Sequence, residues 1–335
     1  MTHPTFKHLF TSLILLLPAA MLCAATASTD PVGTLTVTLK GESDTHIGAP
    51  FAREKVFSGR ISAINNGNEI TVHNSPGWSS DEFVSGEPHY VMLTTGAEEG
   101  MYLAITGNNN DTLTVDLNGE TLNSVVADSG DPTAADAIDI VPFWTPTTLM
   151  PSDLPAGTDL LLYNNDKEIN KSASPILSYN GSNWLNGLNP ADDYMIHPYE
   201  GFVIRLPNGT SDREIAIGGG VPMAKHRLVL DADDGSGTTA QTDIWFTLHS
   251  PVSIEVGNSG LGFDAGDDLL VIDNSSNGIN KSASPILSFN GSDWLNGLNP
   301  ANDYELKAGF SYIYRRVDGS ANTQIEWSVL QPYLQ

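Results

Sequence analysis

Apolar and polar residues alternate along short stretches of the chain, and each stretch ends at a cluster of asparagine, glycine, aspartate or proline, as in "GTLTVTLKG" and "HYVMLTTG". Alternation with a period of two places successive side chains on opposite faces of a strand. Residues 60–64 and 69–72, and again 102–106 and 112–116, predict hairpins across Asn-rich turns. The pattern predicts an all-β protein, in which residues 132–137 are the only helical suggestion.

A segment of 25 residues occurs twice in the second half of the chain, at residues 170–194 and 280–304. The copies are identical at 22 positions and differ at Tyr179/Phe289, Asn183/Asp293 and Asp192/Asn302. Fainter similarity extends on both sides, so the second half is a tandem of two β units. Two copies are fewer than a solenoid needs. We therefore expect two small domains or one shared sandwich.

The predicted organisation has four parts. Residues 1–27 are a signal peptide, and residues 28–146 form an N-terminal β domain that is a small barrel or sandwich. Residues 147–222 and 223–335 form repeat modules 1 and 2, both rich in hairpins. The sequence "IGGGVP" at residues 217–222 is interpreted as the linker between the modules.

The repeated segment contains "SYNGSNW", in which an Asn-Gly pair suits a two-residue turn. With Asn180 and Gly181 as the loop, Tyr179 pairs with Ser182 and Leu177 pairs with Trp184. Leu177, Tyr179, Ser182 and Trp184 then share one face, which is apolar. The segment is therefore interpreted as a core hairpin, a building part of the fold.

A competing interpretation makes the same aromatic residues a ligand platform. An indole beside Asn and Asp side chains can stack on a sugar ring while the polar groups bind its hydroxyls. The candidate binding residues are Trp184, Trp294 and Trp78. An aromatic side chain on the apolar face of a hairpin belongs more often to the core, so burial of the indoles decides between the two interpretations.

Acidic loops give the candidate metal site. Asp231, Asp233 and Asp234 lie in the Gly-rich stretch "DADDGSG", an oxygen-rich turn of the kind that holds structural calcium. Looser groups occur at residues 264–268 and 128–131. The alternative is a solvated acidic surface, since the chain has 40 acidic residues and a net charge of −25. No other cofactor is predicted.

Composition limits the compartment and the partners. Residues 1–27 combine Lys7, a short apolar run and a small-residue cleavage site, as an export signal does. They contain Cys23, the only cysteine, so thiol catalysis and disulfides are excluded from the mature chain. The negative charge disfavours nucleic acid and anionic membranes. No later apolar run is long enough to span a membrane. We expect an exported protein of the periplasm, cell surface or extracellular medium.

Catalytic motifs are not evident. The histidines are scattered without metal-ligand spacing, and neither a nucleophile elbow nor a phosphate-binding loop occurs. Two carboxylates brought together by the fold would suit glycoside hydrolysis, but no pair stands out in the sequence.

Several motifs together resemble a known group of proteins. These are "GRISAINNGNEITV", "SPGW", "IVPFWTPTTL" and the paired "INKSASPIL" followed by "GFVIR". They resemble an uncharacterised paralogous family of exported verrucomicrobial proteins, over about residues 59–315. The resemblance implies a secreted protein and no catalytic residues.

The sequence predicts a non-enzymatic, β-rich structural or adhesive protein of the cell exterior. A carbohydrate-binding protein is the alternative, and a secreted hydrolase is the third possibility. The expected partners are extracellular polysaccharide or other cell-surface proteins.

Overall fold

The computed structural model describes residues 30–165, 169–230, 241–316 and 325–335. With 41% strand and 4% helix, the protein is nearly all β, which confirms the predicted fold class. The chain begins with two strands, β1 (Val32–Leu39) and β2 (Asp44–Gly48).

The next six strands form a closed barrel in the order β3-β4-β7-β6-β5-β8. They are β3 (Phe57–Asn65), β4 (Glu69–Val72), β5 (His89–Leu93), β6 (Tyr102–Asn109), β7 (Thr112–Asp116) and β8 (Ala137–Pro142). Because side chains alternate along each strand, Ile70, Leu103 and Leu113 fill the interior. Both predicted hairpins, β3–β4 and β6–β7, are confirmed.

The helical suggestion at residues 132–137 is wrong. The side chain of Asp131 accepts hydrogen bonds from the N–H and the hydroxyl of Thr133, at 2.9 and 2.6 Å, and the segment forms turns. Such local side-chain bonds compete with helix formation. The α-helix among the described residues is α1 (Pro146–Leu149), capped by Thr145. Two 3₁₀ turns lie at Val256–Asn258 and Pro332–Leu334.

Module 1 is built from β1, β2 and six strands that follow the barrel. These are β9 (Asp159–Leu161), β10 (Ile176–Tyr179), β11 (Trp184–Asn186), β12 (Asn189–Pro190), β13 (Gly201–Arg205) and β14 (Arg213–Gly220). Its main sheet has the order β12-β11-β10-β9-β13-β2, and β14 pairs along β1.

Module 2 comprises the remaining strands, and they repeat this plan. They are β15 (His226–Leu230), β16 (Thr242–Thr247), β17 (Ile254–Glu255), β18 (Asp268–Leu270), β19 (Ile286–Phe289), β20 (Trp294–Asn296), β21 (Asn299–Pro300), β22 (Glu305–Leu306), β23 (Ser311–Arg316) and β24 (Ile325–Val329). The main sheet has the order β16-β23-β18-β19-β20-β21, with ribbons β15–β24 and β17–β22 beside it.

The barrel is an insertion within module 1. Strands β1 and β2 precede the barrel, but they pair with β14 and β13, which follow it. The sequence-based boundaries grouped β1 and β2 with the barrel in residues 28–146, whereas their partners lie in residues 147–222. The glycine run interpreted as a linker is the end of β14, and a side chain at Gly219 would lie 2.2 Å from the carbonyl oxygen of Ala52.

The repeated hairpin forms with a different register from the predicted one. Tyr179 lies opposite Trp184, so the loop has four residues and not two. The side chain of Asn180 accepts hydrogen bonds from the backbone N–H groups of Ser182 and Asn183, both at 2.9 Å, which fixes this wider loop. Leu177, Tyr179 and Trp184 still point into the core as predicted, whereas Ser182 lies in the loop and is exposed.

The main sheets of the two modules pack against each other. Phe202 and Ile204 of β13 point into the core of module 1. Val203, between them, points the other way and packs with Trp245 and Ile313 of module 2. Each sheet therefore has two buried faces, which explains the continuous burial along β13 and β16.

Candidate functional site

The first residue of each repeated copy binds the opposite module. The carboxylate of Asp44 accepts hydrogen bonds from Arg205, at 2.6 and 2.9 Å, and from the backbone N–H of Asn280, at 2.6 Å. Arg205 also donates to the side-chain oxygen of Asn280, at 2.9 Å. Asn280 belongs to module 2 and the other two residues belong to module 1.

The same contact occurs in the reverse direction. Arg315 and the backbone N–H of Asn170 donate to Asp243, at 2.7 to 2.9 Å. Arg315 also donates to the Asn170 side-chain oxygen, at 3.0 Å. The first copy contacts module 2 in the same way as the second copy contacts module 1. The two modules are therefore related by an approximate two-fold axis.

A second pair of asparagines repeats this reciprocity. The side chain of Asn274 bonds both backbone groups of His46, at 2.8 and 2.7 Å. The side chain of Asn165 bonds both backbone groups of Trp245, at 2.8 and 3.2 Å. Each asparagine thus acts as an added strand residue on the sheet of the other module.

Equivalent residues meet where the two sheets are closest. A Cβ added at Gly48 would lie 2.3 Å from the Cβ of Thr247, its counterpart in module 2. A Cβ added at Gly201 would lie 2.7 Å from that of Ser311, again its counterpart. At both positions one module has glycine because the other has a side chain.

The structure buries the two indoles that were candidates for a ligand platform. Trp184 is 3% exposed and lies in the core of module 1, and Trp294 is 1% exposed in the core of module 2. A ring that stacks on a sugar needs an open face, which neither has. The burial of these two tryptophans therefore supports the interpretation of the hairpin as a core element of the fold. Trp78 is half-buried and contacts Phe57 and Phe83 edge-on at the barrel.

In the acidic loops that the structure describes, aspartate side chains accept hydrogen bonds from backbone N–H groups of the same loop. Asp128 accepts hydrogen bonds from the backbone of Gly130 and Asp131, and the buried Asp267 accepts from Phe263 and Asp264. Within the described ranges, no group of three or more His, Cys, Asp or Glu residues is placed to hold a metal ion. Asp231, Asp233 and Asp234 lie outside the described residues.

A cleft lies where the barrel meets the two modules, and it brings together residues that the sequence does not group. Its volume is about 350 Å³, and a neighbouring space of about 470 Å³ shares part of its lining. We call it the first cleft. It is lined chiefly by Tyr102 of the barrel, by Tyr163, Tyr194, His197 and Glu200 of module 1, and by Leu228 of module 2.

The carboxyl group of Glu200 dominates the electrostatics of the first cleft. One of its oxygens accepts a hydrogen bond from the backbone N–H of His197, at 2.9 Å. Burial nevertheless raises the pKa of Glu200 to about 7, and burial lowers the pKa of the His197 imidazole. Near neutral pH the Glu200 carboxyl is therefore a donor in part of the molecules and an acceptor in the rest.

Several polar atoms of the first cleft have no hydrogen-bond partner in the part of the chain that the structure describes. Among the described residues, the hydroxyls of Tyr102, Tyr163 and Tyr194 and the imidazole of His197 make no hydrogen bond. The ring of Tyr163 is held by stacking on Trp245, with ring centroids 3.6 Å apart and planes inclined by 2°. Burial raises the pKa of Tyr163 to about 12, so its hydroxyl is protonated at physiological pH. The charges that act on the Tyr163 hydroxyl are those of Asp44 and Arg205, whereas Glu200 acts on the hydroxyls of Tyr102 and Tyr194. The groups around Glu200 are therefore two tyrosine hydroxyls and one imidazole on aromatic walls.

Tyr199 connects the cleft to the barrel. Its backbone has a φ of +66°, a left-handed value that is uncommon for tyrosine, whereas its counterpart in module 2 is Gly309 with a φ of +75°. The Tyr199 ring is buried against Tyr102 and against two histidines, His226 and His249. Such strain persists only where the surroundings require it, and here the ring fills the junction with the barrel.

A second cleft occupies the two-fold equivalent position. It is lined in part by Ile272, Asp273, Ser284, Tyr304, Lys307 and Phe310, and its volume is about 650 Å³. Tyr304 is the counterpart of Tyr194. Elsewhere the chemistry has diverged, because Ile272 replaces Tyr163, Lys307 replaces His197 and Phe310 replaces Glu200.

Sequence reasoning missed the first cleft because its members are far apart along the chain. One signal could have indicated it. The two copies are almost identical up to Tyr194 and Tyr304, but residues 195–200 and 305–310 then differ at every position. Divergence beside near-identity distinguishes this segment from the rest of the repeat.

No protein-family model, curated protein or solved structure matches the chain. The resemblance to exported verrucomicrobial proteins therefore stays a prediction. Over the part of the chain that the structure describes, no helix has the length and apolar character needed to cross a membrane.

Proposed function

We propose that this chain is an exported, non-enzymatic structural or adhesive protein of the cell exterior. The observation that supports the proposal best is the use made of the repeated segment. Its tryptophans fill the two cores, and its first asparagines join the modules reciprocally. Duplication has here supplied two building parts that complete each other.

The reciprocal contacts favour a rigid body. Asp44 and Asp243 are almost fully buried, and each accepts charge-assisted hydrogen bonds from an arginine and from the opposite module. Such bonds are stronger than neutral ones. A rigid unit without disulfides suits a protein that keeps its shape outside the cell.

The tips of the repeated segment offer contact points for adhesion. Leu188 is 95% exposed and Leu298 is 96% exposed, each in the tight turn before an edge strand of its sheet. They occupy the same position in the two copies, and on the same hairpins Ile176 and Ile286 are 44% and 45% exposed, about half as much. Exposed leucines at two related tips are suited to contact another surface.

Cell fractionation and an adhesion assay test the proposal together. We expect the native protein in the periplasm, on the surface or in the medium, and we expect cells that lack it to adhere less to each other or to a solid support. Complementation with the Leu188→Ser/Leu298→Ser double variant should fail to restore adhesion. The Ser182→Ala/Ser292→Ala variant, changed at exposed positions of the same hairpins, should restore it. A cytoplasmic location, or adhesion that does not depend on the protein, would refute the proposal.

A further inference from the structure

We propose that the first cleft is a binding site for a neutral saccharide unit, formed jointly by the barrel, module 1 and module 2. This site is separate from the proposed structural role, and it does not involve the tryptophans of the repeated segment. The inference rests on the lining of the cleft, on the comparison with the second cleft and on the sign of the surrounding charge.

The lining has the chemistry that sugars require. A sugar ring presents apolar C–H faces and a rim of hydroxyls, so its sites combine aromatic walls with a few placed polar groups. Tyr102, Tyr163 and Tyr194 line the first cleft, and the hydroxyls of Tyr102 and Tyr194 lie in the electrostatic field of the Glu200 carboxyl. Glu200 and His197 add an acceptor or donor each. A volume of about 350 Å³ lies at the lower end of the range for small-molecule sites and suits one or two sugar units.

The walls of the first cleft are held in place before any ligand binds. Tyr163 stacks on Trp245, and Tyr102 lies 6.0 Å from both Tyr199 and His197, measured between ring centroids. The backbone N–H of His197 holds one oxygen of Glu200 and leaves the other oxygen available. Preorganised groups lose less entropy on binding than mobile ones do.

The second cleft serves as an internal comparison. The same fold makes both clefts, and both retain a half-buried tyrosine, Tyr194 or Tyr304. In the second cleft, however, Ile272 and Phe310 are apolar, and Lys307 lies over the Phe310 ring at 5.8 Å. The second cleft keeps polar lining of its own, such as Lys40, Asp273 and Ser284. The side chains of Tyr163, His197 and Glu200 are therefore particular to the first cleft and are not a property of the repeated fold.

Charge argues for a neutral ligand. The chain carries a net charge of −25, and Glu120 at the rim of the neighbouring space is paired with Arg227 at 2.8 Å. An anionic sugar would meet this negative field. A carboxyl group that is partly protonated near neutral pH, as Glu200 is, attracts a cationic amine less than a fully ionised carboxylate does.

Calorimetric titration of the whole exported chain at pH 7 tests the inference. The probes are cellobiose, maltose and di-N-acetylchitobiose as neutral disaccharides, with glucosamine as the cationic probe and glucuronate as the anionic one. We expect at least one neutral disaccharide to bind with a Kd of about 1 mM or below, and glucosamine and glucuronate to bind at least tenfold more weakly. Absence of binding by all three neutral probes, or preference for either charged probe, would overturn the inference.

Variants locate the binding on the protein. Tyr163→Ile introduces the residue of the second cleft at the equivalent position, and Glu200→Gln keeps the size of the side chain. Each should weaken binding of the neutral disaccharide at least tenfold. The matched controls, Ile272→Tyr and Tyr304→Phe in the second cleft, should leave the Kd within twofold.

Circular dichroism and the melting temperature show whether each variant is folded, and Glu200→Gln is the variant least able to disturb the fold. Equal loss of binding in the controls, or unchanged binding in both first-cleft variants, would overturn the assignment. Titration of purified protein is independent of where the protein is located in the cell. Failure of this inference and failure of the proposed structural role are therefore distinguishable.

Discussion

The backbone N–H of Asn280 donates a hydrogen bond to the carboxylate of Asp44, 2.6 Å away, although 235 residues separate them in the chain. Asn280 opens the second copy of the repeated segment, and Asp44 lies on a strand that precedes the barrel. The contact fixes the two ends of the fold to each other. Its mirror, between Asn170 and Asp243 at 2.7 Å, does the same from the first copy.

Substitution of Asp44 should destabilise the whole chain. Asp44→Ala removes the carboxylate that accepts from Arg205 and from the backbone of Asn280, and Arg205 keeps its bond to the Asn280 side chain. We expect the free energy of unfolding to fall by about 2 to 3 kcal/mol, below the usual figure for a fully buried pair because Arg205 is partly exposed. Urea titration measures this loss. Asp212→Ala removes an exposed pair with Lys40 and a hydrogen bond from the backbone N–H of Gly41, and it should cost clearly less than Asp44→Ala. An equal loss in both variants would contradict the importance of the buried contact.

Gly48 and Thr247 should be exchangeable only as a pair. Gly48→Thr alone forces two side chains into one space, and we expect a loss of about 1 to 3 kcal/mol in the free energy of unfolding. Gly48 has no positive φ, so the clash alone opposes the substitution. The double variant Gly48→Thr/Thr247→Gly moves the side chain to the other module and should recover at least half of the loss. Additive losses in the double variant would show that the two positions do not oppose each other.

The repeated tryptophans should behave as core residues. Trp184→Ala and Trp294→Ala each remove a buried indole, and each should lower the free energy of unfolding by about 3 to 5 kcal/mol. The difference in fluorescence between the wild-type protein and each variant is the emission of the substituted tryptophan. Iodide should quench little of that emission. Efficient quenching of that fluorescence would place the indoles in solvent and restore the ligand-platform interpretation.

Acid should destabilise the protein through three buried histidines. Burial lowers the pKa of His46 and His249 to about 4 and that of His226 to about 3, from 6.5. Neither ring nitrogen of His226 has a hydrogen-bond partner among the described residues. As pH falls from 6.5 towards 4, the unfolded chain binds a proton at each histidine that the folded chain does not bind. These residues therefore lower the stability with decreasing pH, each by up to about 1.4 kcal/mol per pH unit.

Glu200 acts in the opposite direction. Its folded pKa of about 7 lies above the ordinary 4.5, so between these values the folded chain holds a proton that the unfolded chain has released. Its contribution is present below pH 4.5 and is lost as pH rises through 7. In urea titrations from pH 4.5 to 6.5, Glu200→Gln should steepen the fall in stability on acidification, and His226→Phe should make it shallower. Parallel pH profiles for both variants and the wild type would contradict these assignments.

The strands were predictable because local alternation determines which face of each strand is buried. Ile70 and Leu113 show this in the barrel, and Leu177 shows it in the repeated hairpin. The hairpin register was not predictable from the Asn-Gly pair, because the Asn180 side chain binds two backbone N–H groups and widens the loop. The sequence alone does not show whether the Asn-Gly pair forms a two-residue turn or whether the Asn180 side chain forms these bonds instead.

The insertion and the first cleft depend on contacts between distant residues. Val37 pairs with Ile215, and Tyr102 meets Tyr199, across about a hundred residues or more. No periodicity reports such pairs. The difference between the two copies after Tyr194 indicates the first cleft indirectly. The plainest difference is Tyr199, where the other copy has Gly309.

The central claim is that the two copies of the repeat stabilise each other and unfold together. Scanning calorimetry of the wild-type chain and of Asp44→Ala tests it most directly. We predict that both modules unfold in one transition, and that a substitution in module 1 lowers the temperature of that whole transition. A separate transition for module 2 that stays at its wild-type temperature in the variant would contradict the claim.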